Sequence, residues 1–316
     1  MTSSSVRNYF SLIKFSHTIF AMPFAMIGFF LGVFSTRPIA ASKSGSFTPL
    51  VKVLNSPFGE PPAHLFQFVA FRLGLVILCM VFARSAAMAF NRYLDRELDA
   101  KNPRTAVREI PRGIIKPQNA LIFVIFSSIL FVSSCFFINR ICFYLSPVAL
   151  SVVLGYSYTK RFTSLCHLIL GLGLSLAPIG AYLAITGVFA ILPILFSLTV
   201  IFWVSGFDII YALQDEEFDQ AQRLYSLPAW LGKQKALHVS EFLHLFSFLC
   251  VMAAGLFGHL GPWYWIGVSI FTGMLIYQHA IVTPNDLSKI NLAFMTSNGI
   301  ASVVFASFVI TDLYLH

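Results

Sequence analysis

Apolar residues along the chain gather into long runs separated by short polar pieces. The runs lie near residues 15–35, 66–90, 118–138, 141–158, 165–187, 191–211, 236–256, 262–282 and 293–313. Each approaches the roughly 20 residues that cross about 30 Å of hydrocarbon. Backbone groups in lipid must be satisfied within their own segment, so each run predicts a helix. The close pairs covering 118–158 and 165–211 admit other divisions. The first run is long for the h-region of a secretory signal, and only Ala40-Ala41 hints at a cleavage site after it. The expected fold is all-α, a polytopic membrane bundle of about nine transmembrane helices, with residues 1–316 as a single integral membrane domain.

Composition agrees. Apolar residues make up 57% of the chain and charged residues 11%, against roughly 45–50% and about 25% in soluble domains. The five cysteines lie in or beside apolar runs without a Cys-x-x-Cys pair, so they suggest neither a zinc site nor a disulfide framework. The net charge of +8 comes from clustered bases, seven of them between Arg92 and Lys116. With a cytoplasmic N-terminus, fifteen Lys and Arg fall on the cytoplasmic side and four (Arg37, Lys43, Lys52 and Arg140) on the other. That is the positive-inside bias of a membrane protein, and nucleic-acid binding is set aside. The first outer loop, about 36–65, is rich in Pro, Ser and Gly and is expected to be irregular.

The acids carry the chemistry. Of thirteen Asp and Glu, four lie in 95–109 and five in 208–219, both patches at helix ends on the predicted cytoplasmic side. In the first, Asn91, Asp95 and Asp99 are four apart and stack on one helix face, with Arg84 and Met88 deeper on the same face. Two carboxylates at that spacing repel, and a cation between them removes the cost. Mg²⁺ typically takes one or two carboxylates plus substrate phosphates and water. In the second, Asp208, Tyr211, Asp215 and Asp219 share a face, and Asp208 lies nearest the apolar run, where an acid is expensive and functional by default. A charged helix end reaching for water accounts for one such patch alone. Two patches with matching spacing on one side read as halves of one site. A transporter's cation site would more often lie near the midplane.

Bases follow the first patch at Lys101, Arg104, Arg108 and Arg112, and Pro103 is expected to turn the chain. Guanidinium groups pair bidentately with phosphate oxygens. Orientation by positive charge explains the same residues, and it competes with phosphate binding for Lys160 and Arg161 too. Arg84, a lone cation about two turns deeper than Asn91, is expected either to hold an acceptor carboxylate or to pair with an acid such as Asp208.

The segments Asn91–Asp99, Arg104–Gly113 and Tyr211–Asp219 resemble the UbiA superfamily of intramembrane prenyltransferases, with Tyr156–Thr163 also similar. The resemblance implies a UbiA-type bundle whose central cavity opens sideways to lipid. Two Mg²⁺ would bridge a polyprenyl diphosphate to Asp95 and Asp99, with Asn91 in support, and to Asp215 and Asp219. Arg104, Arg108 and Lys160 would hold phosphate oxygens. One departure is Arg92, where many members carry Asp, and Asp208 is a candidate to compensate. The stretches Met88–Pro111 and Gly206–Tyr211 look like the bacterial 4-hydroxybenzoate polyprenyltransferase branch. That implies an inner-membrane enzyme prenylating a 4-hydroxybenzoate-like aromatic acid for ubiquinone or menaquinone. The alternative acceptor is a dihydroxynaphthoate of the futalosine menaquinone route. Tyr211 faces the acidic row, where it would touch substrate or simply pack.

Overall fold

The structure is a computed structural model that describes residues 8–9, 11–13, 20–35 and 65–315. The expected start of the first span, most of the 36–65 loop, Ala40-Ala41, and the cations Arg7, Lys14, Arg37, Lys43 and Lys52 lie outside these residues. Over the described residues every apolar run coincides with a helix: α1 Met22–Ser35, α2 Leu65–Leu94, then a short α3 Arg96–Lys101, α4 Pro117–Ile138, α5 Arg140–Thr159, α6 Cys166–Thr186 and α7 Ile191–Ala212. After a 3₁₀ turn at Leu213–Asp215 come the short α8 Glu216–Ala221 and α9 Leu227–Leu231, then α10 Lys233–Phe257, α11 Pro262–Ile281, a π-helical turn at Leu292–Ser297 and α12 Asn298–Leu315. Among the described residues seven helices are long and apolar enough to cross a membrane, while α1 is shorter. The helix α11 has spanning length but ends in the polar pair Gln278-His279, which turns inward.

The boundaries have local causes. Pro117 and Pro262 open α4 and α11 at positions where a missing N–H costs nothing. Asn139 separates α4 from α5, accepting from the Cys142 amide at 2.8 Å and donating to the Leu183 carbonyl at 2.8 Å. Gly187 closes α6 at φ 68°, the left-handed conformation that suits glycine.

Lipid is as apolar as leucine, so the bundle is held by close packing and buried hydrogen bonds rather than by expulsion of water. Phe24, Phe196, Trp203, Phe271 and Phe305 form a fully buried aromatic centre between α1, α7, α11 and α12. Beside it the Asn298 side-chain oxygen accepts from Trp203 Nε1 and Gln278 Nε2, each at 2.9 Å. Its amide donates back to the Phe294 carbonyl at 3.0 Å, tying the π turn to the start of α12. Small residues bring the axes together: a Cβ on Gly28 of α1 would collide with the backbone carbonyl of Pro178 in α6.

Successive long helices alternate in direction, so the α2–α4, α5–α6, α7–α10 and α11–α12 connections gather at one end of the bundle. Both acidic patches lie there. Gly28→Ala is expected to lower the unfolding midpoint in detergent, by the ~1–3 kcal/mol typical of overpacking. Gly74, exposed with open space around its Cα, serves as the comparison, and Gly74→Ala is expected to hold or raise the midpoint. Equal midpoints for the two variants would refute the close approach of α1 to α6.

Candidate active site

Three connections build the site. In the first, α2 ends at Leu94, but i→i−4 bonding continues through the break: the Asp95 amide donates to the Asn91 carbonyl at 2.9 Å and the Asp99 amide to the Asp95 carbonyl at 2.7 Å. The four-residue row therefore survives, and Asn91 Nδ2 donates along it to Asp95 Oδ2 at 3.1 Å. At Asn102 and Pro103 the chain turns as expected. It folds back so that the Thr105 hydroxyl donates to the Asp99 carbonyl at 3.1 Å and Arg108 Nη1 reaches Asp99 Oδ1 at 2.6 Å.

In the second connection the 3₁₀ turn and α8 present Asp215 and Asp219 inward, both buried. Arg104 crosses from the first connection and grips Asp215 with both arms, Nε to Oδ1 at 3.0 Å and Nη2 to Oδ2 at 2.5 Å. Asn102 adds a bond to Asp215 Oδ1 at 3.2 Å, and Arg104 Nη1 donates to the Tyr211 hydroxyl at 3.1 Å. Such bidentate, charge-assisted bonds are the strong class of hydrogen bond. The third connection, between α5 and α6, supplies Lys160 to Asp219 Oδ1 at 2.8 Å and Arg161 to Asp95 Oδ1 at 3.0 Å. Asp95, Asp99, Asp215 and Asp219 thus each have one cation.

Burial pushes the Asp95 carboxyl above its ordinary value, and the bond from Arg161 only partly offsets this. Burial works against charge on Arg104 and Lys160 as well, but Asp215 and Asp219 respectively overcome it and hold both cations above their usual values.

All eleven candidates line one cavity of about 300 Å³: the four aspartates, Asn91, Arg84, Arg104, Arg108, Lys160, Tyr211 and Asp208. Toward the bundle interior it meets an apolar chamber of about 400 Å³ walled by α2, α4, α5 and α6, and the two share Arg84, Met88, Tyr156, Leu170 and Leu174. Tyr211 lies against Phe294 of the π turn, ring centroids 4.2 Å apart, with the Arg104 guanidinium 5.4 Å from the Tyr211 ring centre. Tyr156 lines the cavity too, whereas Tyr158 is exposed and packs on Phe90.

The pairing of Arg84 with Asp208 is corrected by the structure. Asp208 Oδ2 is bonded instead to His167 Nδ1 at 2.7 Å. His167 Nε2 accepts from the Leu227 amide at 3.3 Å, so Nδ1 bears the proton and donates to the carboxylate. The buried Nε of Arg84 has no partner among the described residues. His167 and Asn102 are site residues that sequence reasoning did not assign, while Arg161, open there between orientation and phosphate binding, lines the cavity. A histidine inside an apolar run was the available signal for His167, but its partner is set by how α6 and α7 pack.

Among the described residues no three His, Cys, Asp or Glu side chains form a cage for an ion. The donor set still fits magnesium. Carboxylates come in pairs that a phosphate would complete, and Asp99 Oδ2 is a buried oxygen with no hydrogen-bond partner.

Comparison with known proteins identifies the family. Residues 62–300 match the model of the UbiA prenyltransferase family. The chain is similar to the 4-hydroxybenzoate octaprenyltransferase of Aromatoleum aromaticum, 27% identical over 80% of this chain and 83% of the relative. It resembles that of Nitrosomonas europaea at 28% identity over 77% and 82%. Its fold superposes on the apo structure of a UbiA homolog from Aeropyrum pernix K1 with TM-score 0.72 and 25% identity, covering 95% and 97% of the two chains. A UbiA homolog from Archaeoglobus fulgidus, bound to DMAPP and Mg²⁺, shares the fold at TM-score 0.67 and 19% identity over 98% and 100%. With the family model covering more than half of its length, the chain belongs to the UbiA prenyltransferase family.

Proposed function

We propose that the protein transfers a polyprenyl group from its diphosphate to the ring of a 4-hydroxybenzoate-like aromatic acid in quinone biosynthesis, with magnesium as cofactor. The observation that carries this reading is the meeting of Asp95, Asp99, Asp215 and Asp219 with four cations in one cavity that continues into an apolar chamber. The names of the relatives and the DMAPP and Mg²⁺ of the Archaeoglobus homolog support it.

Asp95 and Asp99 with Asn91, and Asp215 and Asp219 opposite, would hold two Mg²⁺. When bound, these ions supply positive charge to the departing diphosphate. The chain's own residues do the rest. Arg104, Arg108 and Lys160 exchange their carboxylates for phosphate oxygens and stabilise the charge that builds there. The apolar chamber takes the start of the prenyl chain and keeps water from the allylic cation left by C–O cleavage. The rings of Tyr211 and Phe294 border the cation's path, where aromatic faces are worth about 0.5–2 kcal/mol each. Arg84, unpaired where cavity meets chamber, holds the acceptor carboxylate. Asp208, oriented by His167, is left to accept the proton that the acceptor loses once its ring has attacked the cation.

The purified protein, given a polyprenyl diphosphate, Mg²⁺ and a panel of 4-hydroxybenzoate and dihydroxynaphthoates, is expected to release diphosphate and prenylate 4-hydroxybenzoate. Preference for a dihydroxynaphthoate would move the acceptor to the other quinone route. EDTA, Asp95→Asn and Asp215→Asn are each expected to cut turnover on the order of a hundredfold or more. Full turnover in either variant would remove the metal assignment. Arg84→Leu is expected to raise the acceptor KM on the order of tenfold while sparing the donor KM, in keeping with a lost charge-assisted bond. An unchanged acceptor KM would take the carboxylate away from Arg84. The charge bias puts the site end at the cytoplasmic face of the inner membrane, so a reporter fused after His316 is expected on the opposite face. Cytoplasmic signal from it would reverse the topology.

A further inference from the structure

Four of the cations lining the polar cavity, Arg104, Arg108, Lys160 and Arg161, are each engaged by a carboxylate. Arg92 lines the same cavity and is different. It is only 3% exposed, yet its Nη1 has no hydrogen-bond partner. The nearest acid, Glu109, has Oε2 4.0 Å away, itself without a hydrogen bond, and its other oxygen accepts from the Ser11 hydroxyl. That separation is beyond hydrogen-bond reach. Glu109 therefore offsets the charge of Arg92 without using its donors. A guanidinium buried this way is costly to keep unless something comes to use them.

We propose that Arg92 is a substrate residue, donating directly from its guanidinium to the diphosphate of the prenyl donor. Arg84, Met88 and Arg92 are four apart on α2 and share a row, so the two guanidinium groups with unbonded donors start about 12 Å apart along the axis. Arg84 lies where the cavity meets the apolar chamber. Arg92 adjoins Asn91, at the level of the acid rows. An anion held by Arg92 therefore sits beside Asp95 and Asp99, where the diphosphate belongs, and a carboxylate held by Arg84 sits deeper. A planar fork with free donors matches phosphate oxygens. No ion pair inside the cavity has to break before Arg92 binds, unlike the other four. At this point of the site a guanidinium does what a carboxylate with a metal would otherwise do.

This rests on the function proposed above. It competes with a structural reading in which Arg92 and Glu109 merely brace the turn that follows α3. Titration of inorganic pyrophosphate with Mg²⁺ into the detergent-solubilised full chain separates the two. Arg92→Gln is expected to weaken pyrophosphate binding about tenfold, the scale of one charge-assisted bond. Glu109→Gln, which frees the same guanidinium further, is expected to bind as tightly as wild type or tighter. The donor KM should rise in Arg92→Gln while the acceptor KM stays put. Wild-type pyrophosphate affinity in Arg92→Gln, equal weakening in both variants, or a rise confined to the acceptor KM would each overturn the proposal. Should Arg92→Gln not fold, Arg92→Lys takes its place. A point charge without the fork is expected to weaken binding about threefold, and unchanged affinity there overturns the proposal too. Failure of the wild-type protein to bind pyrophosphate would sink the function itself. Normal wild-type binding that is indifferent to Arg92 sinks only this inference.

Discussion

The site depends on compensating carboxylates gathered where water is scarce. Five aspartates line the cavity, and like charges at such range would neutralise one another by taking up protons if nothing else offset them. The protein offsets them with guanidinium and ammonium groups drawn from all over the chain. The grip of Arg104 on Asp215 is the keystone, because it ties the connection after α2 to the connection after α7 across 111 positions of sequence. With Lys160 on Asp219 and Arg161 on Asp95, the same principle fastens the connection between α5 and α6 to both. The electrostatics that make the cavity useful also assemble it.

Charge pairs of this kind do little for net stability, since desolvation takes back much of what the attraction gives. What holds the helices is elsewhere: the aromatic centre around Trp203, the Asn298 junction and the close approach of Gly28 to Pro178. That division of labour suits a site whose ion pairs have to be exchanged for ligand. The frame does not loosen when the pairs open.

What could be read beforehand follows the range of the interaction. Spanning helices are a local property of apolar runs, so over the described residues all nine runs fall on helices and the limits of α4 to α7 agree within a residue. The rows Asn91/Asp95/Asp99 and Asp208/Tyr211/Asp215/Asp219 were equally visible, because four-residue spacing survives both the break at Asp95 and the 3₁₀ turn at Leu213–Asp215. Partner choice was not visible. Pairing with an acid such as Asp208 was one of two readings open for Arg84, but the packing of α6 on α7 gives Asp208 to His167. Nor does spacing reveal that a π turn brings Phe294 onto Tyr211, or that the Asn298 amide bonds back to the Phe294 carbonyl within it.

The same accounting constrains how ligands enter. With Asp95, Asp99, Asp215 and Asp219 each already matched by a cation, a metal ion arriving alone would leave the positive charge of Arg104, Arg108, Lys160 or Arg161 uncompensated in a low-dielectric wall. A diphosphate arriving alone would strand the carboxylates. Arriving together, the anion takes the cations and the metals take the acids, so no charge is left unpaired. Under the proposed function, donor and magnesium are then thermodynamically coupled, each raising the affinity for the other. The unpaired donors of Arg92 and Arg84 lie outside this exchange, one beside the acid rows and one at the mouth of the apolar chamber. They mark the two places where an anion can be received before any existing pair is broken.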